Sequence, residues 1–376
     1  MAHAYTPGLR IAEKTLVTSK RTLPLLGEVM VKKGAVLTAE DIVAKTYLPG
    51  RVHAINAVNR LGIQPKDLKE YMLKKEGDPV QKDEIIAETK PWIKLLKAVL
   101  LSPITGTIET ISTITGQILL REPPKPIEVH AYIDGRVVEV REKEGVVMET
   151  AATFIQGIFG VGGETVGQLH VTVEKPDDVL TADHIQPACK DKIIVGGAFI
   201  QYDALDKARK TGVKGIIVGG FNDEDLRKLL GYDLGVAITG TENIGITLVI
   251  TEGFGRIQMA QRTFELLQSR SGAKTSINGA TQIRAGVVRP EIIIPYDIIT
   301  TATGEEMNKP IERGMEVGDP VRVIRVPYFG KIGKIRSLPF APRKIETEAT
   351  VRILEVEFSD GTTAVVPRAN IEMIEV

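Results

Sequence analysis

Gly77-Asp78-Pro79-Val80-Gln81-Lys82-Asp83-Glu84-Ile85-Ile86-Ala87-Glu88-Thr89 repeats, without a gap, the pattern of Gly34-Ala35-Val36-Leu37-Thr38-Ala39-Glu40-Asp41-Ile42-Val43-Ala44-Lys45-Thr46. Glycine falls on glycine, the acidic pair Glu40-Asp41 on Asp83-Glu84, and the apolar triplet Ile42-Val43-Ala44 on Ile85-Ile86-Ala87. Each copy is followed by a glycine-opened element of form Gly-x-(Val/Ile)-x-x-(Ile/Val): Gly50 to Ile55 after the first, Gly106 to Ile111 after the second, with a third example at Gly135 to Val140. A turn, a short strand and a second strand cannot bury an apolar face alone, so such units must pair with one another.

The segment Gly77 to Asp83, taken with Ser102-Pro103-Ile104-Thr105-Gly106-Thr107-Ile108, resembles the half-motifs of the barrel-sandwich hybrid, the hammerhead fold of biotinyl and lipoyl carriers. The resemblance covers about residues 25 to 175 and implies a β domain over 25–180, preceded by an N-terminal arm at 1–24. A carrier presents one lysine on the hairpin between the half-motifs. Lys90 lies there, but Glu88-Thr89-Lys90-Pro91-Trp92 has neither the methionines that flank a biotin site nor the acidic-lysine-alanine pattern of a lipoyl site. The expectation is a fold without the modification and without a cofactor. The insertion at 90–101 carries the one tryptophan of the chain, and Trp92, Leu95 and Leu96 make a candidate anchor for a partner or a like subunit, against a plain role in covering the core.

From about Lys190 short apolar runs alternate with polar helical stretches, which implies parallel strands joined by crossover helices. Ile193 to Gly197, Gly215 to Gly220, Gly235 to Ile238 and Ile246 to Ile250 read as buried strands, and Tyr202 to Lys210, Asp223 to Leu230 and Gln258 to Ser269 as helices. An α/β domain is expected over 190–298, loosely similar to DRTGG-type regulatory domains. Gly196-Gly197 and Gly219-Gly220 sit at strand carboxyl ends, where open α/β sheets place ligands, so they are candidate phosphate or ligand turns; tight packing turns are the plainer reading. Thr251-Glu252-Gly253-Phe254-Gly255-Arg256 is a further glycine-rich turn whose charges suit a site or a helix cap.

In the last segment, Val321-Arg322-Val323-Ile324-Arg325-Val326-Pro327-Tyr328-Phe329-Gly330-Lys331-Ile332-Gly333-Lys334-Ile335 alternates apolar residues, with Val321, Val323, Val326, Ile332 and Ile335 on the inner face and Gly330 and Gly333 at the bend. It resembles the KOW motif of NusG-type and ribosomal proteins. With further strands around Val351 to Phe358 and Thr363 to Val366, it implies an SH3-like barrel over 312–376. Seven cations, Arg322, Arg325, Lys331, Lys334, Arg336, Arg343 and Lys344, lie between Pro320 and Ile345 with no acid among them, which makes this hairpin the candidate nucleic-acid or partner contact. From Glu346 onward acids prevail, and the whole chain holds 48 basic and 48 acidic side chains, so no long-range field recruits a polyanion.

The composition, 43% hydrophobic but only 5% aromatic, suits strands over helical bundles in this chain of 376 residues. A single cysteine, Cys189, excludes an internal disulfide, and the five histidines show no metal-ligand spacing. Neither a signal peptide nor a membrane span is expected, so cytoplasmic location is the default. The chain therefore reads as a multidomain, β-rich, non-enzymatic scaffold that contacts a ribonucleoprotein or RNA polymerase through its KOW-type barrel. Self-assembly into homo-oligomeric particles or filaments is the first alternative, which near-zero net charge favours, and a metabolite-sensing or enzymatic α/β domain the second.

Overall fold

The computed structural model describes the chain except for residues 1–8, 90–96, 232–238, 241, 243, 283–287, 297–314, 324–326, 329–330, 340, 345–349, 359 and 376. It is β-rich, with curled sheets and short helices. No helix among the described residues is long and apolar enough to cross a membrane. The candidate anchor Trp92, Leu95 and Leu96, the strand expected at Gly235 to Ile238, and Arg325 lie outside the described residues.

The two copies of the sequence repeat fold alike, but their partners are nested along the chain. Val36–Leu37 pairs with Gly135–Arg141 through Leu37↔Gly135 and Val36↔Arg136, and Pro79–Val80 pairs with Gly106–Ile111 through Val80↔Gly106 and Pro79↔Thr107. The hydrogen bonds correspond one by one. Gly34 donates to the Val137 carbonyl at 2.7 Å and Gly77 to that of Ile108 at 2.8 Å; Val137 donates to Ala35 at 2.9 Å and Ile108 to Asp78 at 3.0 Å. The shared acid has a local task, since Asp41 accepts from the Thr38 amide at 2.7 Å and Glu84 from that of Gln81 at 2.8 Å, closing the same turn. The apolar residues that follow, Val43-Ala44 and Ile86-Ala87, are fully buried.

The first copy thus takes the Gly135 element as partner, and not the adjacent Gly50 element. Val52–Asn56 instead joins Gln117–Arg121 within the inner unit. Residues 50–122 are an insertion between the two halves of the outer unit. The inner unit has its own core, with Leu68, Ile86, Leu100, Ile108, Ile118 and Leu120 fully buried. Each such side chain contributes about 1.5–3 kcal/mol by leaving water. The outer unit closes on Val43, Ile133, Val137, Val146 and Met148. At the neck Glu122 donates its amide to the Arg51 carbonyl at 2.9 Å, and its carboxylate meets His53 Nε2 at 2.9 Å. Glycine opens both partner elements for one reason: a Cβ on Gly106 would lie 2.1 Å from the Arg121 carbonyl oxygen, and one on Gly135 2.5 Å from that of Glu149.

A single long sheet joins the rest. Leu9–Thr22, expected as an arm, is a fourteen-residue strand pairing antiparallel with Gly145–Gln156 from Ile11↔Ile155 to Thr22↔Gly145. Gly145–Gln156 is buried nearly throughout, as its run of Val, Ala, Phe and Ile requires of a strand covered on both faces. It pairs onward with Glu291–Pro295, then Lys274–Asn278, then Glu164–Val171. The sheet therefore crosses the boundary expected at residues 180–190, because Glu164–Val171 pairs parallel with Lys192–Val195. The parallel set continues through Gly215–Phe221 to Thr247–Phe254. Helices Tyr202–Thr211 and Asp223–Leu230 lie between these strands in sequence, each ending on a left-handed glycine, Gly212 or Gly231.

At the other side Leu9 and Arg10 pair parallel with Ile374 and Glu375. This brings in a curled antiparallel sheet in the order Ile371–Glu375, Pro320–Val323, Ile332–Ser337, Ile353–Phe358 and Thr363–Pro367. Its core is Val321, Val323, Ile335, Leu354, Val356, Phe358, Val366 and Ile371. Two details differ from the sequence reading. Ile332, expected inside, is 43% exposed. Gly333, expected at a bend, sits within a strand where a Cβ would come 2.4 Å from Val356 Cγ1 and 2.5 Å from the Glu357 carbonyl oxygen. It is required by close strand approach.

Candidate partner-contact site

Alternation along Ile332–Ser337 decides which cations face outward. Gly333 and Ile335 point into the core, so Lys334 and Arg336 are exposed, and Lys331 and Arg343 are exposed beside them. Lys344 lies in the Arg343–Lys344 strand, paired with Thr350–Val351.

The positive charge of this face is offset by neighbours distant in sequence. Lys331 Nζ lies 3.5 Å from Asp360 Oδ2 and 5.0 Å from the centre of the Phe358 ring. Hydrogen bonds from the Thr362 hydroxyl and amide, then the Lys331 charge, hold the Asp360 carboxyl below its ordinary value. Lys334 stands directly across from Glu357, itself exposed, and the Ser337 hydroxyl donates to Glu355 at 3.3 Å. The hairpin, free of acids in sequence, becomes a mixed-charge face once the adjacent strand is laid against it.

Arg322 departs from the expectation altogether. It is 6% exposed, and its guanidinium donates to Glu252 Oε2 in a pair with side-chain exposures of 8% and 7%. It is a docking residue of the carboxy-terminal sheet, because Pro320–Val323 turns this side chain toward the α/β region. Glu252 serves twice: its Oε1 accepts from the Ala260 amide at 3.0 Å. Ala260 caps the helix Gln261–Ser269 with no side-chain acceptor of its own, and Glu252 supplies one, with the sign the helix amino terminus favours.

The glycine turns are filled by the protein. The Gly196 amide donates to the Ile217 carbonyl at 2.9 Å and the Gly219 amide to that of Gly197 at 2.8 Å. A Cβ on Gly197 would lie 2.5 Å from the Asp178 carbonyl oxygen, and one on Gly220 1.9 Å from that of Gly255. The amides of Gly196 and Gly219 are thus engaged by backbone carbonyls, and Gly197 and Gly220 stand where backbone approaches too closely for a side chain, as tight packing turns require.

Sequence reasoning missed a second polar cluster, where the outer unit meets the long sheet. Lys274 Nζ reaches Glu40 Oε2 at 2.6 Å and Asp134 Oδ1 at 2.7 Å. Burial opposes the charge on Lys274, but hydrogen bonds from it to Asp134 and Glu40 carry its pKa above the ordinary value. Arg21 forms a two-pronged pair with Glu164, both contacts 2.6 Å, donates to the His130 carbonyl at 2.7 Å, and lies 5.1 Å from the centre of the Tyr132 ring. Burial, with help from Glu164, raises the Glu291 carboxyl, against Tyr132 and Arg21. The available signal was the repeat itself: Asp134 accepts from the Ala39 amide at 2.7 Å, as Thr105 does from Lys82 at 3.1 Å, so an aspartate at that place is an added charge.

Compared with protein-family models and with curated proteins, the chain matches none.

Proposed function

We propose that the chain is a non-enzymatic scaffold whose carboxy-terminal sheet, an SH3-like barrel of KOW type, makes the contact with a ribonucleoprotein or RNA polymerase. The observation that carries this reading is the outward row of Lys334 and Arg336 on a strand whose alternate residues are buried, on a module clamped to the body through Arg322. Because Asp360 and Glu357 lie beside Lys331 and Lys334, the face suits a protein surface of mixed charge within such a complex better than bare nucleic acid. The matched registers of the nested units support reading both as barrel-sandwich hybrids, the inner one filling the place where a carrier keeps its lysine hairpin.

The test is Lys334→Glu with Arg336→Glu, both exposed, followed by gentle purification from the native host. Loss of the ribonucleoprotein or polymerase partner, with unchanged melting, supports the proposal. Retention of the partner removes the site from this strand. A second reading, self-assembly, draws on the apolar ribbon of the inner unit, where Ile85 lies across from Leu101 and both, with Val99, are 39–43% exposed. Large homomeric particles free of nucleic acid in native mass measurement would put that reading first.

A further inference from the structure

A cavity of about 180 Å³ lies where three parts of the chain meet: Leu9 and Ile11 of the first strand, Thr251 to Thr263 of the α/β region, and Pro320, Arg322 and Ile332 of the carboxy-terminal sheet. Its size is comparable to the ~150 Å³ apolar cavity that accepts benzene. Leu9, Ile11, Ala260, Pro320 and Ile332 give it an apolar body. The charges inside are already matched, since Glu252 and Arg322 form a buried pair. A further carboxylate placed deep inside would stand unpaired against Glu252, at the cost of burying a lone charge.

The mouth differs. Arg262 and Ile332 are the exposed members of the lining. Among the described residues no carboxylate pairs with Arg262. Gln156 also lines the space, and its Oε1 is engaged by the Arg10 amide at 3.1 Å, which leaves its Nε2 as a donor. Apolar interior, self-neutral wall and a cation at the rim define one class of occupant.

We infer that this junction binds a compact monocarboxylate with an apolar body, ring-sized, its carboxylate held at the mouth by Arg262 and its body between Ile11 and Ala260. Because the walls come from three parts of the chain, the occupant favours the docked position of the carboxy-terminal sheet. The site goes beyond the scaffold reading and does not require it.

The experiment is calorimetric titration of the full chain with phenylacetate and, as a neutral twin, phenylacetamide. Wild type binds phenylacetate and melts at a higher temperature in its presence. Arg262→Ala weakens phenylacetate by about tenfold, the equivalent of ~1.4 kcal/mol, and leaves phenylacetamide unchanged. Ala260→Leu fills the cavity and removes binding of both. Should that variant fail to fold, Ile332→Trp, a change at an exposed position, closes the mouth with the same result. The inference is overturned if wild type takes up no phenylacetate at millimolar concentration, if Arg262→Ala binds it as well as wild type, or if a filled or closed variant binds both compounds undiminished.

Discussion

Two polar junctions hold the carboxy-terminal sheet and the outer repeat unit to the body of the molecule, and they are built on opposite terms. At Arg322 and Glu252 both charges are withdrawn from water, with side-chain exposures of 8% and 7%. At Lys274 the cation is 37% exposed and its partners Glu40 and Asp134 are 61% and 25% exposed. Burial makes the first pair costly to break, because one partner removed leaves the other charged in a dry place. Solvent makes the second pair cheap to break, because water replaces the lost partner. The first junction behaves as a clamp and the second as an adjustable tie.

Removing one side of the clamp gives the largest expected effect. Arg322→Ala should destabilise the chain by about 3–5 kcal/mol and make the Pro320–Glu375 region the first site of limited proteolysis. Replacing both partners with methionine should recover part of that loss, since the buried charge and its penalty vanish together while the Ala260 amide loses its Glu252 acceptor, at a cost of about 0.5–2 kcal/mol. A double variant as unstable as the single one would place the cost in lost packing and the lost helix cap, and not in the orphaned carboxylate.

The clamp also marks where sequence reasoning stops. The repeat was legible because its signals are local: a glycine, a turn-closing acid three residues on from its amide donor, and an apolar triplet, all of which reappear in matched hydrogen bonds. Its nesting was not legible. Gly50 and Gly135 open similar elements, and only long-range pairing selects Gly135 as the partner of the first copy. Likewise, Arg322 and Lys334 look alike along the chain, and strand alternation alone predicts which of them faces out only once a neighbour for the opposite face is known. The α/β region packs against one side of the carboxy-terminal sheet, and that contact converts Arg322 from a surface cation into a buried one. The sequence offers Glu252 as part of a site or a cap, and in the fold it is an ion-pair partner and a cap at once.

The adjustable side of the comparison can be sharpened by pH. Glu291 sits near Tyr132, Arg21 and Glu164, and burial raises its carboxyl above the ordinary 4.5. The folded chain therefore holds this proton more tightly than the unfolded chain. The corresponding stability is fully present below pH 4.5 and is lost as pH rises through the folded value. Glu291→Gln should raise the melting temperature at neutral pH relative to wild type and flatten the decline above pH 4.5. An unchanged slope would show that the carboxyl is already solvated in the folded chain.

The smallest effect belongs to the tie itself. Lys274→Ala removes one cation from two carboxylates that remain in contact with water, so the expected loss is about 0.2–1 kcal/mol. Its sign in salt is the informative part. The wild-type contacts are partly exposed and are screened as ionic strength rises, so the gap between variant and wild type should shrink toward high salt. Glu40 moves the other way from Glu291 with pH: its carboxyl is held below the ordinary value because, against the opposing effect of burial, it accepts a hydrogen bond from Lys274. That contribution is present above pH 4.5 and is lost as pH falls through the folded value, so the Lys274→Ala gap should also close in acid. Chemical denaturation at low and high salt, repeated at neutral and acid pH, reads all of this from one pair of proteins. A gap of several kcal/mol that ignores salt would mean that Lys274 is a second clamp, and the contrast between the two junctions would disappear.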